Sequence, residues 1–152
     1  MHLPVNHPLR PVYRTLAGLI GAFILVFGVM GFFATRGMEF FATEGEHVLG
    51  LSTNPAFSVI SVITGVIMLI AVVIGRNVDQ VLNLIAACVF LVAGLAMMAL
   101  LRTDLNFLAF TMTNCIVSFI FGLVTLAASL YGRVGTPESA AAEEQFRRGA
   151  TT

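Results

Sequence analysis

The residues able to do chemistry are few and scattered along the chain. Glu44, Glu46 and His47 stand close together, and carboxylates with an imidazole are suitable ligands for a divalent cation. Adjacent residues rarely converge on one ion, so the cluster reads as a solvated acidic rim. His2 and His7 lie on a Pro-rich stretch with no carboxylate or Cys beside them. Cys88 and Cys115 sit singly inside apolar runs, without C-x-x-C spacing, and read as inert buried thiols. Asp79 borders a long apolar run, and an ionisable group within a membrane is functional by default. At the end of its run it instead reaches headgroup water, caps a helix or pairs with Arg76. Ser61 and Ser118 have no His or Asp at helical spacing, so no nucleophile is matched to a base. These residues assemble no catalytic, metal or cofactor site.

The elements that carry them are more legible. Of the 152 residues 58% are hydrophobic and 11% charged, and the mean hydropathy is +0.95. Too few charges are present to cover the surface of a soluble domain. The basic residues are all Arg and the formal net charge is zero, which gives no electrostatic basis for binding nucleic acid. Four apolar runs, at about 15–35, 57–75, 81–101 and 107–131, have the length of membrane spans. The first is too long for a signal-peptide core and lacks an A-x-A cleavage pattern, so it reads as a span. The expected fold is all-α, an integral membrane four-helix bundle over residues 13–133.

Residues 1–12, with Pro4, Pro8 and Pro11, form an extended arm. The long connection over residues 36–56 mixes acids with Phe40, Phe41 and Leu49, as expected of a segment lying at the membrane interface. Short polar turns at 77–80 and 103–106 make antiparallel neighbours of the helices they join. The tail, residues 134–152, begins a short polar helix at Thr136-Pro137-Glu138, supported by the Glu143–Arg147 and Glu144–Arg148 pairs.

Small and hydroxylated residues form stripes. Thr111, Cys115, Ser118, Gly122, Thr125, Ser129 and Gly132 alternate steps of four and three, the period of a left-handed helix pair. Ser58, Ser61, Gly65, Met68, Val72 and Gly75 repeat the stripe in the second span, and Gly18, Gly21, Gly28 and Gly31 line one face of the first. Because lipid tails are as apolar as Leu, helices in a bilayer associate by close backbone approach, and such stripes are packing seams. The stripes also expose a repeat. Residues 61–65 reading on to Gly75-Arg76 match residues 118–122 reading on to Gly132-Arg133, and residues 25–28 with Arg36 match residues 91–94 with Arg102. The unit is a two-helix hairpin in tandem, so both copies share one membrane orientation. Arg10, Arg14, Arg76, Arg133, Arg147 and Arg148 fall on one side, which puts both termini in the cytoplasm of a cell-membrane protein.

The Gly-rich first span ending Gly31-Phe32, the His47-Val-Leu-Gly-Leu51 run, Asn54-Pro55 and the Gly65 span together resemble the family called domain of unknown function 4383. That resemblance covers residues 12–133. It implies a small four-span membrane protein, mostly actinobacterial, and supplies no activity. Members of the family often carry a His four residues before the Gly of the second and fourth spans; Ser61 and Ser118 hold those positions here.

The expected function is a non-enzymatic accessory or structural subunit of a larger membrane assembly, such as a respiratory or envelope complex. Its partners are membrane lipids and other integral subunits or further copies of the chain, and it needs no cofactor. Phe40, Phe41, Glu143, Phe146 and Arg147 are the expected docking residues. The alternative is a small transporter or channel component, with the hydroxyls of Ser118, Thr125 and Ser129 lining a polar path. Apart from Asp79 at a boundary, the spans carry no acid, Lys or His for such a role.

Overall fold

The computed structural model describes residues 5–149. The elements in order are α1 (Arg10–Ala34), a hairpin of β1 (Glu46–Val48) and β2 (Leu51–Thr53), then α2 (Pro55–Ile74), α3 (Arg76–Leu100), α4 (Met112–Tyr131) and α5 (Pro137–Gly149). Helices α1 to α4 are each long and apolar enough to cross a bilayer, and the protein is a multi-pass membrane bundle. Its outward faces are Leu, Ile and Val, among them Leu19, Ile63, Val92 and Leu123, all exposed. Such a surface suits hydrocarbon rather than water.

The bundle is built from two hairpins. α1 packs along α2 and α3 along α4, while α1 against α4 and α2 against α3 are looser contacts. The two hairpins place equivalent residues opposite each other at their seams, at different distances. A Cβ placed on Gly28 would lie 2.8 Å from the Ser58 carbonyl oxygen, and one on Gly94 would lie 3.4 Å from the corresponding Cys115 oxygen. Gly65 meets Leu25 as Gly122 meets Leu91. Close backbone approach of this kind is what small residues permit in lipid. Apolar side chains cluster where the hairpins meet: Ile20, Ile24 and Met68 with Phe23, Phe90 and Phe121 near the middle, and Ala56, Met97, Leu108, Phe110 and Cys115 nearer the loops.

Several boundaries differ from those expected. The third span begins at Arg76, not at 81, and residues 77–80 are helical. Gly75, with φ +65°, and Arg76, with φ +56°, make the turn between them, a conformation that costs glycine nothing but is uncommon for Arg. Asp79 then supplies a first-turn acceptor, taking a hydrogen bond of 2.9 Å from the Gln80 amide. The fourth helix begins at Met112 rather than 107. Asn106 accepts from the Phe110 amide and donates to the Phe110 carbonyl, both at 2.9 Å, which closes a non-helical turn before the Thr111 cap. The first helix starts at Arg10, with Pro11 in its first turn, and the second at Pro55, capped by Asn54.

The fold is all-α in its spans as expected, and the long connection carries in addition a short β-hairpin. Strands β1 and β2 pair Val48 with Leu51 across Leu49-Gly50, and both turn residues have positive φ, as a tight two-residue turn requires. Val48 and Leu51 do not lie on the membrane surface. They are buried against Phe27, so the connection folds back onto the end of α1.

Candidate docking and packing sites

The seam residues are interior. Ser58, Ser61, Gly65, Cys115, Ser118, Gly122, Thr125 and Ser129 are buried, while Thr111 is half-buried as the cap of α4. Thr125 donates to the carbonyl of Phe121 at 2.7 Å, so its hydroxyl is spent within its own helix. Ser58 shares a hydrogen bond of 2.9 Å with the Thr53 hydroxyl. These two seam hydroxyls thus find partners close by in the chain.

At the loop end, asparagines hold the two connections together. Asn54 accepts from the Phe57 amide at 2.8 Å as the cap of α2. Its Nδ2 donates to the Ala42 carbonyl at 2.7 Å and to the Phe107 carbonyl at 2.8 Å. Asn114 takes the Ser52 amide at 3.1 Å and donates to the Ser52 carbonyl at 2.8 Å. Its side chain therefore pairs with β2 as a neighbouring strand would, and fastens the hairpin of one repeat to the helix of the other.

The terminal end is closed by charge. Arg10 Nη2 reaches Asp79 Oδ2 at 3.2 Å, and Arg14 Nε lies 3.9 Å from the same oxygen. Arg10 also donates to the Gly132 carbonyl at 3.0 Å and to the Arg76 carbonyl at 3.2 Å. Arg14 donates to the carbonyls of Val72 and Val73, the unpaired acceptors in the last turn of α2. The expected Arg76 partner of Asp79 is therefore replaced by Arg10 and Arg14, which approach from α1. Asn6 bonds Arg133 and Gly135, and Tyr13 stacks on Tyr131 at 5.2 Å. Among the described residues, no buried side-chain nitrogen or oxygen lacks a hydrogen-bond partner.

Of the expected docking residues, Phe40 and Phe41 are exposed and in edge contact at 4.8 Å. Phe107 from the other connection joins them, its ring centroid 6.3 Å from that of Phe41. Phe146 is exposed on α5. The side chains of Glu143 and Arg147, and His2 with Pro4 in the arm, lie outside the described residues. Glu44, Glu46 and His47 are exposed along the β-hairpin. Among the described residues no three His, Cys, Asp or Glu side chains gather as a metal site.

Between the hairpins lies a cavity of about 100 Å³, lined by all four spans. Phe23, Phe27, Phe57, Phe90, Phe110 and Phe121 stand in its wall, among Ile, Leu and Val side chains. Ser61 and Ser118, the equivalent positions of the two repeats, both border it, with Thr64 and Asn114.

A family model described as Domain of unknown function (DUF4383) matches residues 14–131, the whole bundle from α1 to the end of α4. The chain belongs to this family. No curated protein and no solved structure matches it. The residues missed by reading the sequence are Asn106, Asn114, Arg14 and Phe107 within the DUF4383 region, and Arg10 just before it. Asn114 carried a signal, being an amide just after a Thr cap at the head of an apolar run. The Arg10–Asp79 pairing carried none, because it joins residues far apart in the chain.

Proposed function

We propose that this DUF4383 protein is a non-enzymatic accessory or structural subunit of a larger assembly in the cell membrane, such as a respiratory or envelope complex. The observation that carries this reading is how its polar side chains are spent. Asn54, Asn106 and Asn114 bond backbone groups of the connections, and Asp79 is held by two arginines at the end of the bundle. Polar groups committed in this way stabilise a scaffold and are not left aimed at a substrate. The surfaces a partner would read are the Phe40, Phe41 and Phe107 cluster and helix α5 with Phe146. The Glu144–Arg148 pair contributes only a few tenths of a kcal/mol, about what one exposed helical pair supplies. A helix as short as α5 is marginal in water and gains from being docked.

The transporter reading is supported less well. The cavity is the space it would use, yet its wall is largely apolar, which does not lower the cost of moving an ion. Arg10, Arg14, Arg76 and Arg133 gather at the end where the termini lie, which favours cytoplasmic termini.

Gentle extraction from the native membrane, followed by identification of co-purifying proteins, tests the assignment. The full chain is expected to bring defined membrane subunits with it, and deletion of residues 137–152 to weaken that association while leaving the bundle inserted. A full-length protein that emerges alone overturns the accessory role and puts the transporter reading first. A truncated protein that keeps every partner removes the tail as the dock.

A further inference from the structure

The cavity between the hairpins has a mouth. α2 and α3 are joined only through Gly75, and their contact is the loosest of the four between neighbouring spans. Along this gap the cavity is lined by Ile60 and Thr64 from α2 and by Val89 and Ala93 from α3. Ile60 is 47% and Val89 55% exposed, and both belong to the hydrocarbon-facing surface of the bundle. The inner wall is formed by Phe27 and Phe110, only 2% and 5% exposed, and by Leu108. The space therefore runs from the lipid-facing surface into the core, between two spans and below the loop end.

We propose that this cavity binds the end of a phospholipid acyl chain that enters from the bilayer between α2 and α3. The chemistry of the wall selects a hydrocarbon. Its one amide, that of Asn114, is already paired with Ser52, and the remaining polar side chains are only the hydroxyls of Ser61, Thr64 and Ser118. An apolar space of this kind stays dry and accepts apolar guests. Left empty, its lining forgoes dispersion contacts on one side and destabilises the fold in proportion to the void. The surrounding bilayer offers methylene groups at the mouth, so an acyl chain is the occupant always at hand.

The test uses the full chain in phosphatidylcholine vesicles containing a phosphatidylcholine with a diazirine at the end of one acyl chain. After photolysis, adducts are expected on Phe27 and Phe110 as well as on lipid-facing Leu123. Ala93→Phe fills the mouth from α3 and should abolish the interior adducts while keeping the one on Leu123. Thr64→Leu narrows it from α2 and should reduce them. Adducts confined to lipid-facing residues of the wild-type protein overturn the proposal whether or not either variant folds. Interior adducts that persist unchanged in a folded Ala93→Phe protein also overturn it. Interior labelling by a diazirine fatty acid but not by the phospholipid overturns the phospholipid as the source.

Discussion

Gly65 lies so close to Leu25 that a methyl group on it would meet the Leu25 amide nitrogen at 2.6 Å. The equivalent contact in the second hairpin is made differently. A methyl on Gly122 would first meet Leu91 Cδ2 and Cγ at 2.7 Å, with the Leu91 nitrogen farther off at 3.3 Å. A side-chain end can rotate away, whereas helix backbone cannot. Gly65→Ala is expected to cost about 1–3 kcal/mol, as overpacking does, and Gly122→Ala clearly less. Thermal unfolding in detergent checks the order, and equal losses at the two sites would contradict it. Ile120→Leu, on the exposed face of α4, should leave the midpoint unchanged.

Asp79 is 3% exposed and its charge is met by Arg10 and Arg14. Asp79→Asn keeps the shape and removes the charge, and is expected to destabilise the bundle by about 1–3 kcal/mol, the range for a hydrogen bond to a charged group. Arg76→Ala, whose side chain makes no ion pair with Asp79 in the structure, should cost much less. A double-mutant cycle between Arg10→Ala and Asp79→Asn should show positive coupling. Strict additivity would place the two groups in separate roles.

Asn54→Ala removes a helix cap and leaves the Ala42 and Phe107 carbonyls without their donor. The expected cost is about 1–3 kcal/mol, from a lost cap plus two partly buried acceptors left without their donor. Hydrogen exchange should rise in both connections at once, because Asn54 joins them. Faster exchange in the first connection alone would show that the second is held independently.

The helices and their seams were legible because both depend on local periodicity. Each stripe of small residues recurs every few positions, so Ser61, Gly65, Ser118 and Gly122 announce a packed face before any partner is known. The hairpin pairing followed from the repeat. What escaped was set by contacts between distant segments. Residues 77–80 are polar and read as a turn, but a polar first turn is favourable when arginines from α1 lie over it. Val48 and Leu51 are as apolar as an interfacial segment requires, and only the end of α1 decides that they turn inward. The exposed cluster was half visible, since Phe40 and Phe41 are adjacent and Phe107 comes from the other connection.

The orientation has a direct check in a background lacking Cys88 and Cys115. A Cys introduced at Thr43 and another at Glu138, both exposed, should react with an impermeant maleimide from opposite sides of the membrane. Glu138 should react only after the cytoplasmic face is opened. Reaction of both positions from the same side would contradict a four-span topology.

The closure of the terminal end also has an order in time. A chain made from its N-terminus acquires Val72 and Val73 first, and Arg14 can then fasten the completed first hairpin. Asp79 follows within a few residues and gives Arg10 its counter-charge before the second hairpin has fully emerged. Gly132, Arg133 and Gly135 come last, and Arg10 and Asn6 take hold of them only when the fourth span is finished. The N-terminal residues thus find their partners in three segments made at successively later points of synthesis, and the last of these bonds can form only once the fourth span is complete.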